Sequence, residues 1–236
     1  MIKKRQLKTY LYLWSVAVML ILVSCSTSGS SNKGEAILVV GSYSEPSLGI
    51  VATALAMNLN IAEDTFGELR VTVNGPKGWN NNQPSLDVFE EDNYFKGWTW
   101  IRIIFDRTTL LLGTYSVKAT LNGQSFQEVF SVNADAITKL ELAEITLGEV
   151  SEGKLTASWS KPNGAKSFLV ELYDSENLLV EEIVTSNQIT FEDLDLKTGA
   201  TYYVAVQAFT ADFTKDIPDL AGNFKISYNE IEVSLP

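Results

Sequence analysis

The sequence predicts an all-β chain folded as two tandem β-sandwiches behind a secretory leader. Three observations carry the prediction. Short runs rich in β-branched and aromatic residues recur along the chain, separated by turn chemistry, and no helical period runs long enough to compete. The pattern Gly113-Thr114-Tyr115-x-Val117-x-Ala119 is echoed downstream by Tyr202-x-Val204-x-Val206-x-Ala208. A length of 236 residues, 45% of them hydrophobic, accommodates two cores.

The N-terminus comes first. Lys3, Lys4, Arg5 and Lys8 precede an apolar run, Tyr10–Val23, broken only by Ser15. That run is too short to span ~30 Å of hydrocarbon, for which about 20 helical residues are needed. A basic start, a short apolar stretch and a small-residue exit describe a signal peptide over residues 1–24. Cys25, the sole cysteine, follows Leu22-Val23-Ser24. This exit resembles the lipobox of bacterial lipoproteins. The resemblance implies cleavage before Cys25, acylation of its thiol, and attachment to a membrane through two or three chains, which anchor far better than one. Residues 25–34 then form a polar tether, with an r.m.s. reach of roughly 15–18 Å. Ser26, in place of an aspartate, is compatible with passage to the outer membrane of a Gram-negative cell. In another lineage the outer face of the cell membrane is the expected location.

Residues 35–134 are expected to form the first sandwich. Its strands are Glu35–Val40, Leu48–Asn60, Leu69–Val73 and Trp98–Phe105, followed by a hairpin of Thr114–Leu121 and Gln124–Val132 around the Asn122-Gly123 turn. The hairpin is similar to the last two strands of a bacterial immunoglobulin-like domain. Between strands lies an irregular stretch, Gly67–Trp100, rich in turn residues, aromatics and acids. Trp98, Trp100 and Arg102 alternate along one side of their strand. With Trp79 and the neighbouring Asn80, Asn81 and Asn82 they make a candidate ligand-binding set. It would suit stacking on a sugar ring or contact with a protein, unless the loop merely covers the rings.

Residues 138–236 are expected to form the second sandwich. Its strands are Leu155–Trp159, Phe168–Tyr173, Leu178–Val184, Gln188–Phe191, Tyr202–Phe209 and Phe224–Val233. Lys161-Pro162-Asn163-Gly164 and Asp174-Ser175-Glu176-Asn177 are turn chemistry. The stretch "LTASWSKPNGAKSFLVELYD" resembles strands B and C of a fibronectin type III domain. "LKTGATYYVAVQAF" resembles the corner and strand F of that family, with Thr198 and Ala200 where Pro and Thr are usual. The resemblance implies that Trp159 fills the core centre and that Tyr202 is the corner tyrosine. Tyr115 is the matching structural tyrosine of the first sandwich.

Charge and composition then bound the function. The formal charge is −11, and every one of the 29 acids lies after residue 24. A body this acidic is repelled by nucleic acid. With no histidine and one cysteine, neither a His-based triad nor a His/Cys zinc site can be built. Glu90-Glu91-Asp92-Asn93 and Asp212…Asp216…Asp219 lack the spaced ligands of an EF-hand, so no metal site is expected. The loop Thr210–Asn223 holds no Arg-Gly-Asp tripeptide. Of the 29 acids no pair stands out as a glycosidase-type acid and base. No catalytic residue and no cofactor are expected. The reading is a lipid-anchored protein of the bacterial cell envelope, acting as a binding or spacer module for a protein partner. The alternative is a glycan-binding accessory lipoprotein that uses its tryptophans.

Overall fold

The computed structural model describes residues 36–59, 69–83, 94–95, 98–121, 124–151, 153–175, 177–197, 199–214 and 224–234. Cys25, the expected signal segment and tether, the Asn122-Gly123 turn and the acidic run 90–93 fall outside these residues. So do Asp216 and Asp219. The described chain is all-β, fourteen strands with one short 3-10 turn. It divides into two compact units. Of the described residues, the first takes those between 36 and 41 and between 52 and 137, and the second those between 42 and 51 and between 138 and 234.

In the first unit, β3 (Leu69–Asn74), β6 (Gly113–Leu121) and β7 (Gln124–Val132) form one antiparallel sheet, in the order β3-β6-β7. The start of β1 (Ala36–Ser44), then β2 (Ala52–Leu59), β5 (Trp98–Thr109) and the two-residue β4 (Tyr94–Phe95) make a second sheet. Alternation places Val71, Val73, Tyr115, Val117 and Ala119 inward, all fully buried, with Leu38, Val40, Ala54 and Leu55 also in the core. Register within the hairpin is regular from Gly113↔Val132 to Leu121↔Gln124.

The second unit is a three-on-four sandwich. One sheet runs β12 (Gln188–Phe191), β9 (Lys154–Trp159), β8 (Ile145–Ser151). The facing sheet runs β11 (Leu178–Val184), β10 (Ser167–Asp174), β13 (Thr201–Phe209), β14 (Lys225–Ser234). The core between them holds Leu155, Ala157, Trp159, Phe168, Val170, Leu172, Val204, Val206 and Val233. β11 and β12 match the expected strands at both ends, and the other four strands of this region shift by a residue at most.

One connection was not expected. The sequence places residues 35–134 in one domain, yet residues 42–51 group with the C-terminal unit. The end of β1 pairs parallel to β14, with Ser42↔Lys225, Tyr43↔Ile226 and Ser44↔Ser227 in register. The buried Ser44 hydroxyl lies 3.0 Å from the Leu140 carbonyl and 3.3 Å from that of Ile226. On β14, Ser227 and Asn229 donate to the Glu141 and Ala143 carbonyls at 2.8 and 2.9 Å. Residues 140–143 are thereby held by side-chain hydrogen bonds where no strand ladder serves them.

Candidate functional site

The structural residues settle first. Trp159 is 3% exposed and meets Phe168 edge-on, with ring centroids 5.4 Å apart. The buried Tyr202 hydroxyl accepts the Lys197 N–H at 2.8 Å. In the first unit the Tyr115 hydroxyl is engaged by Leu111 from both sides, as acceptor from its N–H and donor to its carbonyl. Burial raises the Tyr115 pKa above the ordinary 10.0, while the Leu111 hydrogen bond opposes the shift. Each unit therefore carries a tyrosine locked to the backbone four or five residues upstream, a device that fixes a corner between sheets.

Trp79 corrects an expectation. It does not offer a face to a ligand, because it is 2% exposed. Its Nε1–H donates to the Thr53 hydroxyl at 2.9 Å, and its ring stands edge-on to Tyr115 at 5.5 Å. The local cause is legible. Asn80, Asn81 and Asn82 all have positive φ, a conformation asparagine tolerates better than most residues, so the chain reverses directly after the tryptophan. Gly75 lies under the ring, where any Cβ would sit 2.6 Å from Trp79 carbon. The three asparagines shape the backbone, and Trp79 is the first unit's counterpart of Trp159. Trp98, Trp100 and Arg102 lie on β5, with Trp100 opposite Asn58 and Arg102 opposite Ala56. Their side chains are outside the described residues.

The composition of one face in the second unit was missed. On the sheet side away from the core, strand register lines up Leu169 with Gln207 and Tyr228, Glu171 with Ala205 and Glu230, and Tyr173 with Tyr203 and Glu232. This face grades from buried at Leu169, Gln207 and Tyr228 to open at Glu230 and Glu232. The Gln207 amide donates to the Glu171 carboxylate at 3.2 Å, giving a buried carboxylate a donor, while the Gln207 carbonyl oxygen is buried without a partner. Tyr173 stacks on Tyr203 with centroids 5.4 Å apart. Tyr173 and Tyr228 both donate to Glu230 Oε2, the latter at 2.6 Å, and their two hydroxyls are 3.3 Å apart.

Electrostatics follow from that geometry. Burial is the main reason both phenols are pushed well above the ordinary tyrosine value, and the Glu230 charge adds to it. They stay protonated donors at any physiological pH. The outward side of these four strands carries the buried Glu171, the part-buried Glu181 and the exposed Glu230 and Glu232, with three tyrosines of which Tyr228 is buried. It carries no lysine or arginine of its own, since Lys225, the one basic residue of β10, β11, β13 and β14, falls in step with Ile231 and Val233 on the other side of β14. Aromatic faces beside carboxylates suit a cationic group, through ring quadrupole and charge together. Among the described residues no group of acids is arranged to hold a metal ion.

The strand order of the second unit, three strands facing four, with its corner tyrosine and core tryptophan, is that of a β-sandwich of the fibronectin type III fold. No protein-family profile matches the chain. In sequence it is similar to tenascin of Mus musculus, 29% identical over 107 residues, covering 40% of this chain. That match spans 5% of the length of the mouse protein. Among solved structures it is similar to a two-domain fibronectin type III segment from chicken tenascin. The identity there is 12% and the TM-score 0.30, covering 78% of this chain and 93% of that one. It is also similar to a cytokine receptor complex, at 13% identity and a TM-score of 0.32, covering 76% and 90%.

Proposed function

We propose that the chain is a non-catalytic binding module of the bacterial cell envelope, held to the membrane by acylated Cys25, and that its partner is a protein bearing exposed basic side chains. The observation that supports the contact is the Tyr173–Glu230–Tyr228 cluster beside the Tyr173–Tyr203 stack, on a sheet face without a cation of its own. The Leu22–Cys25 exit supports the anchor. The tether keeps the folded units near the bilayer and leaves them free to turn.

Two experiments test this reading. Metabolic labelling with a palmitate analogue should mark the wild type and leave Cys25→Ala unmarked. Equal labelling of both removes the anchor. For the face, an oligolysine peptide titrated by calorimetry should bind the wild type in low salt. Glu230→Lys combined with Glu232→Lys should abolish that binding while the melting temperature holds. Peptide affinity unchanged by the double variant removes the site. The glycan alternative loses Trp79 as a platform, and Trp98 and Trp100 are left to carry it.

A further inference from the structure

A β-sheet edge presents backbone donors and acceptors to any strand that passes, and natural edges are blunted by shortness, charge, proline or bulges. Six strands end a sheet among the described residues, and five of them are short, slip register or carry paired charges. β4 has two residues and β12 four. β8 breaks register between Leu147 and Val150. β11 carries consecutive glutamates, Glu181 and Glu182, and β10 slips against it at Leu172/Tyr173. β3 is six residues long, with an exposed Arg70 and Pro76 two residues beyond its end. The outer side of β14 is covered by Ser42–Ser44.

β7 is the exception. It runs nine residues, Gln124–Val132, without proline, lysine or register slip. Its outward residues Ser125, Gln127, Val129 and Ser131 are exposed, and Val129 is the most exposed large apolar residue described, at 60%. Glu128 is its single charge and lies on the inward side, opposite Val117.

We infer that β7 pairs antiparallel with β7 of a second copy of this chain, about a two-fold axis through Val129. The strand is self-complementary in that register. Val129 meets Val129 of the second copy, so the exposed apolar side chain is covered. Gln127 meets Ser131, two groups able to hydrogen-bond. Glu128 meets Phe130, and Phe126 meets Val132. The neighbouring registers are poorer. An axis through Glu128 sets two carboxylates directly opposite, which is destabilising. An axis through Gln127 faces Val129 with Ser125 and leaves the apolar pair unmade. Moving the axis from Val129 to Glu128 slips the register by two residues, sets the carboxylates against each other and parts the two valines, so the Val129 register is the favoured one. The interface is isologous and closes at two copies. One strand pair buries a small area, so the dimer belongs to the weak class of association. Each copy carries a formal charge of −11, so salt should tighten it by screening the repulsion.

The test uses the full chain in mild detergent, in a Cys25→Ser background that leaves any introduced thiol the only one. Val129→Cys should give a covalent dimer under gentle oxidation, because cross-axis Cα atoms in either type of antiparallel pair lie within disulfide reach. Gln127→Cys, displaced from its own copy by four residues along the strands, should not. In sedimentation equilibrium the wild type should self-associate, more strongly in high salt, and Val129→Lys should stay monomeric with an unchanged melting temperature. A wild-type Kd of about 1 mM or weaker overturns the proposal. Crosslinking of Gln127→Cys as efficient as that of Val129→Cys overturns it too. These outcomes are independent of lipid attachment and of the tyrosine face.

Discussion

The Tyr115 hydroxyl and the Leu111 backbone hold each other twice, with Leu111 N–H donating at 3.0 Å and the phenol donating back to the Leu111 carbonyl at 3.1 Å. Tyr115→Phe keeps the ring and deletes both bonds. It leaves a part-buried amide and carbonyl without that partner, at a cost of about 1–3 kcal/mol. Urea unfolding followed by tryptophan fluorescence should show a lower midpoint with an unchanged slope. An unaltered midpoint would show the corner to be dispensable.

Trp79 should behave as a core residue. Trp79→Ala opens a cavity beside Tyr115 and takes the indole donor from the Thr53 hydroxyl, which keeps its bond to the Thr108 carbonyl, at a cost of ~3–5 kcal/mol. Gly75→Ala drives a methyl into the same ring and should destabilise by roughly 1–3 kcal/mol. Thermal melts of the two variants check this, and an alanine variant as stable as the wild type would return Trp79 to the surface. Trp159→Ala belongs to the same cost range in the second unit.

The alkaline limb of stability should be steep. Tyr115, Tyr173 and Tyr228 all have folded-state pKa values above the ordinary 10.0. Above that pH the unfolded chain loses phenolic protons that the folded chain keeps, so unfolding is favoured as pH rises. The stabilisation is complete below pH 10 and is lost upward, at most about 1.4 kcal/mol per pH unit for each tyrosine. Urea midpoints measured between about pH 8 and pH 11 should fall. Tyr173→Phe combined with Tyr228→Phe should flatten the fall, and an identical slope in that variant would sink the assignment.

Removing one hydrogen bond of the strandless segment gives a milder prediction. Asn229→Ala frees the Ala143 carbonyl and should cost about 1 kcal/mol. Hydrogen exchange across residues 140–145 should accelerate more than exchange in β9 or β10.

Much of the fold was legible because its signals are local. Alternation and turn residues set β11 and β12 to the residue, and Tyr202 announced its corner by its neighbours in β13. What escaped depends on partners far along the chain. Trp79-Asn80-Asn81-Asn82 reads as a polar loop until Thr53, 26 residues away, is seen under the indole nitrogen. Gly75, four residues before the tryptophan, was the one local hint. The tyrosine face needed the register of β10 against β13 and β13 against β14. Alternation says only that Tyr173, Tyr203 and Glu230 point outward, never that they meet.

The pairing of Ser44 with β14 sets the tempo of folding. The Ser44 hydroxyl and the Ile226 carbonyl are 182 residues apart in sequence. Contacts of such high order form slowly, since a long loop must close before the bond rewards it. On the ribosome, residues 42–44 emerge early and wait for β14, which follows about 180 residues later. A fragment beginning at residue 138 would synthesise all seven strands of the second sandwich yet finish with the flank of β14 bare. Such a fragment should fold and then stick to itself, while the intact chain brings its own cover.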